Sequence, residues 1–425
     1  MQPKDLNILF RQKKQELTNI WLILLIINIW GGLMLYRTLG QTGIKLSVLG
    51  YGTKYLPESE SKGKRWISID NSIKAMHRSF ELGVNHIDTS YLYNNGLSET
   101  AISQVLKNWQ EKIYIGTKAP TKLIKKPGDY RKYLEEQLSR LNVDCIDFYY
   151  FDQVDYQNFL LINKRTNWIK EAKKAQKEGL IKHIGFSFNA PPEEMKLMVD
   201  MKLFSVISCS YNLLNRKNSI AIEYAASKGT GIIAAEPLAG GKIVLLPNKF
   251  RAEMNPSARN NVELGLSFVI ANRCISATLC SMKNLEMVEE NIFYTADSTP
   301  ITKEQLKNMN DYLDELQEAA DKICKGCKYC LSCPQEVNIP YIFELYIDHQ
   351  IYGLKDYASQ MYSNLETNSE FTGKNALSCF NCGLCSQKCP LNIEISIKLK
   401  EAHKTLSPYY QEIKKTELKT KRKRK

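Results

Sequence analysis

Eight of the chain's twelve cysteines stand in two short runs, and no other feature narrows the folds open to it so sharply. Cys379, Cys382, Cys385 and Cys389, followed by Pro390, have the spacing C-x2-C-x2-C-x3-C-P. Cys324, Cys327, Cys330 and Cys333, followed by Pro334, repeat it with one residue fewer before the last cysteine. Cysteines separated by two residues, run after run, read as metal ligation and not as a disulfide framework. Three closely spaced thiolates can reach three irons of a cubane, while the fourth ligand comes from the other run where two clusters lie side by side. The expectation is therefore two 4Fe-4S clusters. Cys324, Cys327 and Cys330 would pair with Cys389, and Cys379, Cys382 and Cys385 with Cys333. The rival is a pair of zinc sites of four cysteines each. The other cysteines, Cys145, Cys209, Cys274 and Cys280, are scattered, and the whole pattern suits a reducing, cytoplasmic compartment.

A metal-holding segment of this length needs a larger body to sit on. The 425 residues have room for a barrel of roughly 250 and a second unit of about 100. With 44% apolar and 24% charged residues, the chain can bury a core and is not of the disordered class. Short β-branched runs lie near 47–51, 84–88, 112–118, 145–151, 182–186, 204–208, 231–235 and 275–279. Amphipathic stretches such as SIKAMHRSFELG, DYRKYLEEQLSRLN and WIKEAKKAQKEG separate them, each ending in Gly or Asn as helices often do. Eight strand–helix units in succession predict a parallel sheet closed into a (β/α)8 TIM barrel. An open doubly wound sheet is the alternative, but no GxGxxG follows the first strand. Residues 302–322 form a polar helix leading away, and 339–366 are again helical and aromatic. The expected division is an N-terminal extension 1–33, a barrel 34–300, a linking helix 301–322, a small α-helical iron-sulfur domain 323–412 and a basic tail 413–425.

The net charge of +13 suggests nucleic acid until it is located: residues 414–425 hold eight Lys or Arg against one Glu. Such a run reads as a solvated tail, and nucleic acid is not expected as a partner. At the other end, residues 20–35 (IWLILLIINIWGGLML) are almost wholly apolar but shorter than the roughly 20 residues a spanning helix needs, and no cleavage site follows. The reading preferred is that translation starts at Met34, with Trp30, Gly31 and Gly32 derived from a ribosome-binding stretch read in frame. A membrane anchor is the alternative. Codons there that do not spell a purine-rich GGAGG-like stretch would remove the support for Met34.

Catalytic candidates lie at the ends of the predicted strands, where barrel enzymes build their sites. The second strand runs into HIDTSYLYNNGLSE, with Asp88 and then Tyr93, and the third ends IYIGTK, with Lys118. A Lys held by an Asp can lower the pKa of a nearby Tyr, making its phenol an effective proton donor to a carbonyl oxygen as hydride arrives. Each residue alone is bland, since an Asp at a strand end is often a cap and a lone Tyr usually packs.

Order and spacing together resemble the aldo-keto reductase superfamily, from Tyr36 to about Asn291. The resemblance rests on YRTLGQTGIKLSVLGYGT, KEGLIKHIGFSF, AAEPLAGGK and MKNLEMVEEN, and with the cysteine segment it extends to the branch with a fused ferredoxin-type domain. The resemblance implies a catalytic set of Asp, Tyr, Lys and His, of which Asp88, Tyr93 and Lys118 are the first three. The fourth differs: IDFYYFDQ puts Asp152 where the family has His, and His86 reads as core. The Ser, Asn and Gln that hold a nicotinamide correspond to Ser187, Phe188 and Ser208. By the same likeness Tyr211 stacks on the ring, Lys283 meets the adenosine phosphate and favours NADPH, and Glu290 and Asn291 close the site. The resemblance thus implies an oxidoreductase that reduces a small carbonyl substrate with NADPH and needs a ferredoxin or flavoprotein partner to connect hydride with one-electron carriers. The other reading is an electron-transfer or redox-sensing protein whose barrel has lost reductase chemistry.

Overall fold

A computed structural model of the chain describes residues 34–61, 64–296, 300–366 and 373–407; the apolar run before Met34 and the basic tail lie outside these. Two compact units are present. Of the described residues, one holds those up to Tyr211, Asn215–Pro237 and the stretch from Asn272 to Ala296; the other holds Asn212–Leu214, Leu238–Ala271 and those from Pro300 on.

In the first unit the eight β-branched runs are strands: β1 (Leu49–Gly52), β2 (His86–Asp88), β3 (Tyr114–Ala119), β4 (Ile146–Phe151), β5 (Ile181–Phe188), β6 (Val206–Ser210), β7 (Gly231–Ala235) and β8 (Ala277–Cys280). Each pairs in parallel with the next, and β8 closes on β1 with Thr278 opposite Leu49 and Cys280 opposite Tyr51. This is the (β/α)8 barrel that the alternation of elements predicts. Its strands are covered on both faces: all six residues of β4, IDFYYF, are buried, Asp147 among them. The helices stop where the sequence indicates. Asp129–Leu141 ends on Asn142 at φ 53°, and Gly83 follows the helix Ile69–Glu81 at φ 93°.

The lower end of the barrel is sealed by an antiparallel hairpin, Tyr36–Thr38 with Lys45–Ser47. It carries Leu39 and Leu46 into a fully buried cluster with Phe148, Tyr150, Val206 and Ile233. Burial of each such leucine contributes about 1.5–3 kcal/mol. Higher up, Tyr150 fills the interior and needs a missing side chain opposite: a Cβ on Gly185 would lie 2.7 Å from Tyr150 Cδ1 and 2.8 Å from the Val206 carbonyl oxygen. A second hairpin, Glu58–Ser61 with Lys64–Ile67, is inserted between β1 and the first helix.

In the second unit, helices Ile339–Gln350, Lys355–Asn364 and Ile395–Leu406 surround a core that includes Ile342, Phe343, Leu345, Ala358, Leu399 and Leu406. Cys330 belongs to that core, and Cys324, Cys333, Cys379, Cys385 and Cys389 pack against it. Tyr362 ties the segments together, with its hydroxyl 2.7 Å from His403 Nδ1 and accepting the Ala376 N–H at 3.2 Å. The polar helix Lys303–Asp321 opens with a capping box between Thr302 and Gln305. Among the described residues no helix is long and apolar enough to cross a membrane.

Overpacking at a backbone carbonyl cannot be relieved by a rotamer change. Gly185→Ala is expected to cost about 1–3 kcal/mol, read as a lower midpoint in urea unfolding of the barrel.

Candidate active site and cysteine centres

The strand register sets the catalytic geometry. Asp88 ends β2 opposite Gly116 of β3, and Lys118 stands two residues further along β3. Lys118 Nζ donates to Asp88 Oδ1 and to the Thr89 carbonyl at 2.9 Å. Both side chains are almost wholly buried. Burial works to lower the Lys118 pKa, but Asp88, Tyr93 and Asp152 outweigh it and hold the ammonium above its ordinary value. Burial pushes the Asp88 carboxyl up, with Lys118 pulling the other way. His86, one residue pair deeper, is fully buried, and burial together with Lys118 depresses its pKa to about 3. It is a neutral core residue packed edge-on to Phe148, as the sequence suggests.

After Asp88 the chain turns sharply. The Tyr93 N–H reaches the Ser90 carbonyl at 3.0 Å, and Asn94, Asn95 and Gly96 follow in left-handed conformations. Ser98 Oγ, in the next helix, holds the Tyr93 carbonyl at 3.0 Å. This turn lays the Tyr93 ring beside Lys118, with Nζ 5.2 Å from its centre. Lys118 draws the phenol pKa down, but burial, Asp88 and Asp152 together outweigh it, so the net direction is up. The expectation that Lys118 leaves Tyr93 with a lowered pKa is thus corrected: burial and two carboxylates outweigh Lys118 and the more weakly acting Lys54.

Asp152 follows β4 and is locked by its neighbours. Its N–H donates to Thr121 Oγ1 at 3.0 Å, and Ser187 Oγ donates to Asp152 Oδ1 at 2.7 Å while accepting the Gln153 N–H at 2.7 Å. Ser187 and Ser208 are register partners on β5 and β6, both buried. Phe188 is buried beside Phe186, and Tyr211, just past β6, is buried with its N–H on the Ala235 carbonyl at 3.3 Å. Lys283 is exposed beyond β8, with Nζ 5.6 Å from the Tyr55 ring centre. Glu290 and Asn291 lie on the helix Leu285–Ala296, Asn291 buried. Sequence reasoning missed Thr121, Tyr150 and the Lys54–Glu236 pair, 3.4 Å apart, which joins the loops after β1 and β7. Tyr150 and Glu236 fall within stretches that carry the resemblance, but only the fold shows what each of these side chains meets.

In the second unit, Cys324, Cys327, Cys330 and Cys389 line one small pocket, walled by Pro340, Phe343, Ile393 and Ile395. Burial pushes the Cys330 thiol up to about 11, with Cys324, Cys327 and Cys385 adding to it. Burial likewise raises Cys385, whose nearby thiols include Cys379 and Cys333. The runs therefore interleave, Cys389 beside the first three cysteines and Cys333 beside members of the second run. All eight thiols are free of disulfides. Among the described residues no three His, Cys, Asp or Glu side chains converge on one metal ion; the first four thiols ring a space instead. Four soft thiolate donors around an apolar cavity suit an iron-sulfur cluster.

Residues 48–315 match the profile of the aldo/keto reductase family, and residues 323–393 match that of the 4Fe-4S dicluster domain. An L-galactose dehydrogenase from Arabidopsis thaliana is 27% identical over 287 residues, covering 60% of this chain and 86% of that protein. An uncharacterised oxidoreductase of Bacillus subtilis is 21% identical over 65% of this chain and 95% of its own length. Among solved structures, the holo form of an aldo-keto reductase from Bacillus halodurans aligns with a TM-score of 0.56 at 21% identity, over 65% of this chain and 96% of that one. A thermostable aldo-keto reductase in complex with the inhibitor epalrestat aligns at 0.54 and 23% identity, over 66% and 100%. The structural likenesses speak for the fold.

Removing one partner of a buried ion pair leaves the other desolvated and unpaired. Asp88→Ala is expected to destabilise the barrel by about 3–5 kcal/mol, measured by urea denaturation; a loss below about 1 kcal/mol would mean that Lys118 is solvated.

Proposed function

Because the chain belongs to the aldo/keto reductase family and carries a 4Fe-4S dicluster domain beyond it, we propose that it reduces a small carbonyl compound with NADPH, Tyr93 giving the proton to the carbonyl oxygen. The observation that carries this reading is the buried Lys118–Asp88 pair with its ammonium beside the Tyr93 ring. NADPH, when bound, supplies the hydride. Tyr93 starts protonated, because its pKa lies above the ordinary tyrosine value. As charge grows on the carbonyl oxygen the phenol releases its proton, and the phenolate that remains faces Lys118. Asp88 keeps the ammonium in place. Asp152 accepts from Ser187, so as a carboxylate it donates nothing to the substrate; its part is to hold Ser187 and raise the Tyr93 pKa. Lys283, exposed beyond β8, suits the adenosine phosphate, and Tyr211, Ser208, Glu290 and Asn291 are the further cofactor contacts.

A second reading is an electron-transfer or redox-sensing protein whose barrel no longer reduces carbonyls. One observation favours it: the Ser187 hydroxyl is already engaged by Asp152 and Gln153, so it has little left for a nicotinamide amide. Stopped-flow mixing with NADPH separates the two. No NADPH binding, with metal centres still reducible by dithionite, would sink the reductase reading.

Cys324, Cys327, Cys330 and Cys389 are proposed to hold one 4Fe-4S cluster, and Cys379, Cys382, Cys385 and Cys333 the other. Bound clusters supply electrons singly, whereas hydride carries two, so a flavoprotein or ferredoxin partner is required. Anaerobically purified protein should contain about eight iron and eight sulfide per chain, and Cys389→Ser should remove about half. Zinc without sulfide would decide for the rival.

The protonated phenol is present below the Tyr93 pKa and lost as pH rises through it. Carbonyl reduction should therefore hold level from neutral pH to beyond about 10, and Tyr93→Phe should lower kcat by about 10²–10⁴. Asp152→Asn removes a charge that raises this pKa, so the alkaline limb should move to lower pH. A limb that stays put means that Asp152 does not act on Tyr93.

A further inference from the structure

The stretches bearing the cysteines, residues 322–335 and 373–393, hold five lysines and not one Asp or Glu, in a chain with 58 basic and 45 acidic residues. Lys322, Lys325, Lys328, Lys374 and Lys388 line them. Lys374 is paired with Glu336 at 3.0 Å. Lys388 Nζ donates to Ser332 Oγ at 2.6 Å. Among the described residues no carboxylate pairs with Lys322, Lys325, Lys328 or Lys388. Asp321 and Glu394 stand at the edges of these stretches.

Between the lysines the same stretches expose large apolar side chains. Tyr329 is 64% exposed, Leu331 54% and Leu384 47%; Leu377 and Phe380, which flank Cys379, are exposed as well. The turn Tyr329–Leu331 packs directly on the helix Leu384–Gln387, and the Lys388–Ser332 bond ties the two runs, so Tyr329, Leu331 and Leu384 belong to one surface. Cys327 and Cys382, one from each run, are themselves exposed. Exposed apolar side chains are informative where they cluster on one surface, as Tyr329, Leu331 and Leu384 do.

We propose that this lysine-rimmed apolar surface over the two cysteine runs docks a small, acidic electron-carrier protein. The inference rests on the assignment of two clusters to these cysteines. Its physical basis is a division of labour: charge of one sign steers a partner of the other and raises the association rate, while a small apolar centre excludes water and leaves the complex short-lived. Both suit a carrier that must arrive, exchange an electron near Cys327 or Cys382, and leave. The rival explanation is that the lysines only offset the negative charge of the thiolates beneath them. That role would move the reduction potentials and leave partner binding untouched.

The test uses the full-length, anaerobically purified holoprotein and an acidic [2Fe-2S] ferredoxin as probe, with Kd measured by calorimetry at about 50 and 300 mM NaCl. The expected result is saturable binding that weakens at least about ten-fold over that salt range. Lys325→Glu/Lys328→Glu should weaken it at least about ten-fold at low salt, with iron content and the reduced-state EPR spectrum unchanged. Lys322→Glu, outside the cysteine spacing, should weaken it in the same direction and serves if the double variant loses iron. Binding that ignores salt, a Kd unchanged in the variants with only the potentials shifted, or preference for anionic vesicles over the ferredoxin would each overturn the proposal. Iron and sulfide are assayed first, so their absence overturns the cluster assignment and this inference with it, whereas full clusters without charge-dependent binding overturn the docking surface alone.

Discussion

Closure of β8 onto β1 is the constraint from which the rest of the barrel follows. A closed parallel sheet has no free edge, its strands are covered on both faces, and all eight run in the same direction. Their C-terminal ends therefore gather at one rim, and a residue just past one strand becomes a neighbour of residues far away in the chain. The interior has to be filled, and it is filled unevenly: Tyr150 and His86 occupy space that Gly185 and Gly50 leave open. Leu39 and Leu46 seal the lower end from a hairpin outside the barrel.

At the rim the electrostatics centre on one buried cation. Lys118 is desolvated, and only the carboxylates and phenol around it keep it charged. That dependence works in both directions. The ammonium would stabilise a phenolate on Tyr93, yet the carboxylates of Asp88 and Asp152, together with burial, leave the resting phenol harder to ionise than an ordinary tyrosine. A general acid gains from this balance, since it must hold its proton until charge develops on the substrate. Asp152 brings a second carboxylate to this rim, and the Ser187 hydroxyl turns toward it.

The second unit is stabilised in a different way. Its apolar core is modest, and the cysteines form part of its boundary: Cys330 is buried in it and five others pack on it. Small domains of this kind commonly gain their remaining stability from what their thiolates hold. Were the thiols raised by burial to bind iron, they would have to lose protons, which would link occupancy of the site to pH and to folding alike.

The sequence by itself determined the strand and helix alternation, the ends of helices at Gly83 and Asn142, and the cysteine runs, because each of these is a local pattern: period, cap or spacing. It also marked Asp88 and Lys118 at strand ends, with Tyr93 just beyond the first, since a residue at a strand end in a barrel has a known destination; Asp152 was marked by the family resemblance alone. What it did not contain was the sign of the shift at Tyr93. Spacing identified Lys118 as a neighbour, but the pKa is a sum over burial and every charge in reach, and Asp152 and Asp88 enter that sum only when the strands are laid side by side. Ser187 shows the same limit, for its sequence context suggests a cofactor contact and only the register of β4 and β5 gives it Asp152 as a partner. Tertiary structure decided these points because desolvation and Coulomb terms depend on distance in space, and the chain encodes that distance only through its fold.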